Sequence, residues 1–156
     1  MPDIQCTTLF GKVKLVPIEK IEFRPAAYAI LIKDNKILLM RMKRTEKYFF
    51  PGGGVEKGEK LEDGLRREAR EETGLEIEIN KFFYFRESFF YYDPLDKALH
   101  NFGFFYLCTS KTLDLISDEK VEDYEAEKPR WLDLDTLKES DMQGWGWEVI
   151  EKLKYI

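Results

Sequence analysis

Three carboxylates, Glu68, Glu71 and Glu72, crowd together in the segment GGVEKGEKLEDGLRREAREETGL, residues 53–75. If residues 61–73 are helical, Leu61, Leu65 and Ala69 project at about 0°, 40° and 80°, a narrow apolar stripe. Glu71, Glu68 and Glu72 fall at about 280°, 340° and 20° on the same projection. The acids are therefore contiguous, and Glu72 lies on the edge of the stripe that must be buried. A solvated acidic face would lie opposite that stripe. Like charges at this spacing repel, and Arg67, four positions before Glu71, cannot neutralise all three. A hard divalent cation, Mg2+ or Mn2+, among these oxygens removes the repulsion.

Phosphate is the chemistry that suits such a site. Gly52, Gly53 and Gly54 admit backbone conformations closed to other residues and let a carbonyl or N–H approach a ligand closely, as does Gly58 a little later. A Gly-rich loop entering a helix also brings the positive end of the helix dipole toward an anion. Metal, carboxylates and helix entry together fit catalysis at phosphorus.

The elements that must hold these residues can be read on both sides. AAYAILIKDNKILLMRM is two β-runs around Asp34-Asn35, a hairpin signal. MKRTEKY is a polar loop, and FFPGGG ends a short strand in a sharp turn. Helix 61–73 ends at Gly74, a C-cap residue. LEIEINKFFYFRESFFYY reads as a long strand turned by Asp93-Pro94, and ALHNFGFFYLCT as its return. SKTLDLISDEKVEDYEAE is an acidic loop, and KPRWLDL is another strand. DTLKES predicts a short helix capped by Asp135, and WEVIEKLKYI a closing amphipathic helix. Residues 1–23 read as a less regular lead-in with short strand-like pieces such as KVKLV. No linker or repeat divides the 156 residues, so one domain, 1–156, is expected. Strands mixed with helices at separate points give an α/β class with the sheet between helices.

Composition narrows the partners. With a net charge of −5 and pI near 5.1, an extended nucleic acid is not the expected ligand. A small anion bound through a metal remains compatible. No apolar run approaches the roughly 20 residues that cross a bilayer. MPDIQCTTLF shows no basic region followed by an apolar core, so neither export nor membrane attachment is expected. Cys6 and Cys108 lack metal-ligand spacing and are expected to stay reduced, which suits a cytoplasmic location.

Residues 53–75 resemble the Nudix box of the Nudix (MutT-like) hydrolases, G-x5-E-x7-R-E-U-x-E-E-x-G-U with U apolar. Gly53, Glu59, Arg67, Glu68, Ala69, Glu71, Glu72, Gly74 and Leu75 fill every fixed position. Gly64 is a mild departure, where Ala would be more usual in a helix. FRPAAYAILIKDNKILLMR, YFFPGGG and RWLDLDTL extend the likeness over roughly residues 24–140. The resemblance implies an α/β/α sandwich with a mixed sheet and hydrolysis of a nucleoside diphosphate linked to another group. It implies that Glu68, Glu71 and Glu72 bind Mg2+ or Mn2+, with the Gly53 carbonyl, and that Arg67 orients Glu59 or a neighbouring ligand. A base outside the box is expected at Glu125, with Glu122, Asp123 and Glu127 as rivals and Glu68 as the fallback. The alternative within the fold is a nucleotide-binding module without activity, although such modules generally lose box carboxylates.

The remaining features are read more plainly. In FFYFRESFFYY most aromatics are expected in the core, with one or two at a base-stacking wall or a homodimer contact. His100, the sole histidine, is expected to be structural. Arg24, Arg41 and Lys43 could meet phosphate near the site, although isolated bases on strands are usually solvated. Trp145 and Trp147 are expected to pack the last helix. The substrate itself is not legible.

Overall fold

The computed structural model describes residues 2–156. Nine strands and two α-helices follow in the order β1 (Asp3–Thr8), β2 (Val13–Pro17), β3 (Ile21–Lys33), β4 (Lys36–Met42), β5 (Tyr48–Phe49), β6 (Gly52–Gly54), α1 (Leu61–Thr73), β7 (Ile77–Tyr92), β8 (Lys97–Ser110), β9 (Ala126–Asp133) and α2 (Gly146–Leu153). The sheet runs β2-β1-β7-β8-β3-β4-β5, with β6 also on β3 and β9 also on β4. It is mixed: β3 runs parallel to β8 and β1 parallel to β7, while the other pairings are antiparallel.

The Asp34-Asn35 hairpin forms as its sequence demands. Both residues take left-handed backbone, φ 50° and 62°, the combination a tight turn between twisted strands requires. The two strands then part, being registered only at Ile32↔Ile37 and Lys33↔Lys36. Beyond that point β6 pairs with β3, and β9 pairs with β4. The opening lets the glycine strand lie beside β3 at the foot of α1.

Alternation along β3 and β4 feeds two cores. Ala27, Ala29, Leu31 and Leu38 face α1, where Leu65 and Ala69 meet them. Ile30, Ile37 and Leu39 face α2, where Val149, Ile150 and Leu153 close a second cluster with Phe50 and Phe105. Helix, sheet and helix therefore form three layers. α1 spans the residues its apolar stripe predicts and ends on Gly74 at φ 79°, whose N–H donates to the Arg70 carbonyl.

Two expectations need correction. The lead-in is regular: β1 and β2 pair from Asp3↔Pro17 to Thr7↔Val13, and Cys6 and Val16 are buried with Tyr91 and Ala98. DTLKES forms no helix capped by Asp135. Instead the Asp133 carboxylate accepts the Asp135 N–H at 2.8 Å, and the chain turns there before a short 3-10 turn at Glu139–Asp141. The lone apolar Leu137 in that stretch gives a helix too little to bury.

Among the described residues no helix is long and apolar enough to cross a membrane. Both cysteines are free and buried, and burial lifts the Cys108 thiol to about 12.

Candidate active site

The site grows from the contact between β6 and α1. Gly52 has φ 132°, and a Cβ there would overlap the Ala27 carbonyl, so only glycine lets β6 lie this close to β3. The Gly52 N–H then donates to Glu72 Oε1 at 2.7 Å. A Cβ on Gly53 would stand 3.4 Å from the Glu68 carboxylate, and one on Gly54 3.3 Å from the Arg24 guanidinium. Neither glycine has the left-handed backbone their composition suggested; a side chain at Gly54 would press on Arg24, while one at Gly53 would meet Glu68 at ordinary contact distance.

Arg67 is the organiser of the box. Its Nε and one terminal nitrogen donate to the two oxygens of Glu59 at 2.8 and 3.0 Å. The other terminal nitrogen reaches Glu68 at 3.1 Å and Glu71 at 3.4 Å. The Arg67 guanidinium, helped by the Glu56 N–H, holds the Glu59 carboxyl down to about 2. Gly64 also finds its reason here, because a Cβ on it would come within 2.9 Å of Glu59 Oε1. The glycine leaves room for Glu59 to turn toward Arg67.

Glu72 is 2% exposed, the buried edge of the stripe made real. Burial pushes its carboxyl well above the usual range, and the charges of Asp123 and Glu68 add to the shift. Glu68 is raised for the same reasons, burial first, against the pull of Arg67. Oxygens of Glu68, Glu72 and Asp123 lie within 4.8 Å of one another. Glu71 is not in this group; it stays half-exposed beside Arg67.

Asp123 comes from the acidic loop between β8 and β9. That loop is tied to the end of α1: the Ile116 N–H donates to the Thr73 carbonyl at 3.0 Å, and the Glu122 N–H to the Glu71 carbonyl at 3.1 Å. The helix's orphan C-terminal carbonyls thus fix the loop. Asp123 Oδ1 accepts the N–H groups of Glu125 and Ala126, each at 2.7 Å. Glu125 turns into the same cavity, where burial raises its carboxyl against the opposing charge of Arg24. Of the rivals, Glu127 is tied to Arg41 and Glu122 is exposed.

The cavity holds about 680 Å³, a volume suited to a small molecule. Its floor is the sheet. Arg24 is registered with Asn101 and Asn101 with Ser88, while Tyr28 is registered with Phe105. Arg24, one of the three bases weighed for a phosphate contact, lines the cavity and donates to Tyr28 Oη at 3.4 Å and Asn101 Oδ1 at 3.3 Å. Two-residue alternation back from Tyr28 was the signal that would have placed it. Trp145 stands at the wall with Phe49, rings edge to face at 5.4 Å, and Arg86 lies over its face at 5.0 Å. Trp145 thus does more than pack α2. Of the aromatic run, Phe89 and Phe90 reach the cavity while Phe82 and Phe85 face solvent. His100 Nε2 donates to the Glu87 carboxylate at 2.7 Å, and the ring stacks on Phe89, a structural role.

The NUDIX domain profile matches residues 22–153. This chain belongs to the Nudix family. It is 30% identical over 115 residues to nucleoside triphosphatase NudI of Salmonella agona, covering 67% of this chain and 82% of that protein. It is 31% identical over 113 residues to Nudix hydrolase 2 of Arabidopsis thaliana, covering 67% of this chain and 37% of that protein. The fold matches a MutT Nudix hydrolase from Burkholderia pseudomallei at TM-score 0.68 and 23% identity, over 85% of this chain and 98% of that one. A Nudix hydrolase from Nitrosomonas europaea matches at TM-score 0.68 and 17% identity, over 86% and 90%. These Nudix neighbours share its α/β/α sandwich with a mixed sheet.

Proposed function

We propose that this chain hydrolyses a phosphoanhydride bond of a nucleotide, with water attacking phosphorus. A nucleoside triphosphate is the favoured substrate, in keeping with the activity named for the NudI relatives. The observation that carries the reading is the convergence of Glu68, Glu72 and Asp123 within 4.8 Å at a cavity that also holds the Arg24 cation.

These residues fit a divalent cation. All three donors are hard oxygens, and among the described residues neither Glu72 nor Asp123 forms an ion pair. Buried acids left facing each other repel, so a cation answers their charge. We assign Glu68, Glu72 and Asp123 as its holders, with the Gly53 carbonyl, and Glu71 as a more distant contributor. When bound, Mg2+ or Mn2+ supplies Lewis-acid stabilisation of charge on phosphoryl oxygens. The protein does the rest. Arg67 keeps Glu68 and Glu59 in place, and the Gly52 N–H orients Glu72. Arg24 offers charge-assisted donors to a phosphate at the cavity end of β3. Glu125 takes the proton of the attacking water, as a carboxylate in the cavity but outside the holding group.

Nucleotides incubated with the protein and Mg2+, followed by chromatography, test the reading. Hydrolysis of at least one nucleoside triphosphate is expected, abolished by a chelator and restored by added Mg2+ or Mn2+. Turnover that survives exhaustive chelation would remove the metal from the proposal. Absence of turnover across the panel would remove the hydrolase.

A further inference from the structure

The cavity has an end that phosphate chemistry does not use. From Arg24 a row of side chains crosses the sheet away from the carboxylates: Asn101 on β8, then Ser88 on β7. On the far side lies β1, which runs parallel to β7 with Thr7↔Phe90 in register. Gln5 precedes Thr7 by two residues, as Ser88 precedes Phe90, so strand alternation continues the row into Gln5. Gln5, Ser88 and Asn101 all line the cavity. Each is uncharged, and together they offer donors and acceptors.

Ser88 marks the row as unfinished. Its Oγ is the buried side-chain polar atom without a hydrogen-bond partner among the described residues. Such a group costs stability unless something pairs with it, and in an otherwise satisfied structure it asks for an explanation. The wall beside it belongs to this chain: residues 3–17, the β1–β2 hairpin, lie outside the segment that the NUDIX profile matches. The hairpin tip reaches across the opening, because Leu9 shares a small recess with Met42, Glu125 and Gln143.

We propose that Gln5, Ser88 and Asn101 form the subsite for the nucleoside end of the substrate, with the β1–β2 hairpin as its wall. The proposal rests on the nucleotide reading of the neighbouring carboxylates and names which end of the nucleotide lies where. The row binds an uncharged hydrogen-bonding edge, which a base or sugar presents and a phosphate does not. Arg24 marks the crossover between the two ends. The unpaired Ser88 hydroxyl meets its partner on the ligand, and Gln5 brings selectivity from an element outside the segment that the NUDIX profile matches.

The test is equilibrium binding of the four ribonucleoside monophosphates and of inorganic pyrophosphate, each with Mg2+, read by Trp145 fluorescence or calorimetry. Parent protein, Gln5→Ala and Ser88→Ala are compared. Both variants are expected to weaken the best-bound monophosphate at least tenfold, to narrow the spread among the four, and to leave pyrophosphate within twofold. Ser88→Ala is also expected to keep or raise the thermal midpoint, since it removes an unpaired hydroxyl, whereas a merely structural serine would lower it. The proposal is overturned if the parent binds no monophosphate, if the variants bind all four as the parent does, or if pyrophosphate weakens equally. Hydrolysis is measured separately on the parent. Failure there removes the hydrolase, while selective loss of nucleoside binding would still establish the subsite.

Discussion

Two acidic regions meet at the cavity, and they are held in different ways. The box acids Glu68 and Glu72 sit on a regular helix, and each has a dedicated partner: Arg67, itself braced by Glu59 from the preceding turn, for Glu68, and the Gly52 N–H for Glu72. The acids of the β8–β9 loop have no helix beneath them. Asp123 is fixed by local backbone N–H groups, and the loop is tied on one side to carbonyls at the end of α1 and on the other to Lys43, whose N–H donates to the Glu125 carbonyl and whose Nζ donates to the Asp123 carbonyl. The comparison teaches that a helix can position two carboxylates by periodicity, while the remaining acids must be carried in by a segment without periodicity. The strength of the arrangement lies in the seam between them.

The comparison can be broken first at Glu72. Glu72→Gln is expected to lower kcat by about a thousandfold, about 4 kcal/mol of barrier. The metal-free fold should be as stable or slightly more so, because a buried charge among like charges is removed. Steady-state kinetics beside thermal melting in chelator would show it, and an unfolded variant with normal activity per folded molecule would make Glu72 structural.

The loop side is tested by Glu125→Gln, expected to cost about a hundredfold in kcat, the usual contribution of a general base. Glu122→Gln and Glu127→Gln should stay within about threefold, since a solvated or otherwise paired charge changes the barrier little. Equal small effects at all three would return the base to Glu68.

A sharper contrast lies within the helix. Glu71, outside the converging group, should lose about tenfold as Gln, well below Glu72, on the same assay. An equal loss would bring Glu71 into the holding group.

The smallest effect concerns stability. Glu59 is held down to about 2, below an unfolded carboxylate near 4.3. A depressed pKa contributes stability that is full above the unfolded value and is lost as pH falls toward the folded one. Parent stability should therefore decline between about pH 5 and pH 2. Melting of Glu59→Gln over that window should show a shallower decline; parallel curves would mean that the Arg67 pairing does not stabilise the fold.

Much of this was legible because the physical signals were local. A narrow apolar stripe and Gly74 set both ends of α1, and Asp34-Asn35 set the hairpin. Glu72 on the edge of a buried stripe already implied a buried acid. The two-residue turn and the helix stripe need no knowledge of the rest of the chain. Asp123 was one acid among several in a loop with no period to single it out, and its place depends on carbonyls fifty residues earlier in the chain. Arg24 could not be singled out from Arg41 and Lys43, because burial of a strand residue depends on which strands flank it. Gln5 was hidden for the same reason, since β1 finds its neighbour β7 only across the chain.

The pairing of β1 with β7 has one more consequence. It is registered at Thr7↔Phe90 and Thr8↔Tyr91, and side chains alternate across a strand. A slip of one residue would turn Gln5 and Thr7 out of the cavity and swing buried Cys6 into it. A slip of two would restore the pattern with different side chains. The wall can therefore be rewritten only in discrete steps, odd shifts ruinous and even shifts a change of vocabulary.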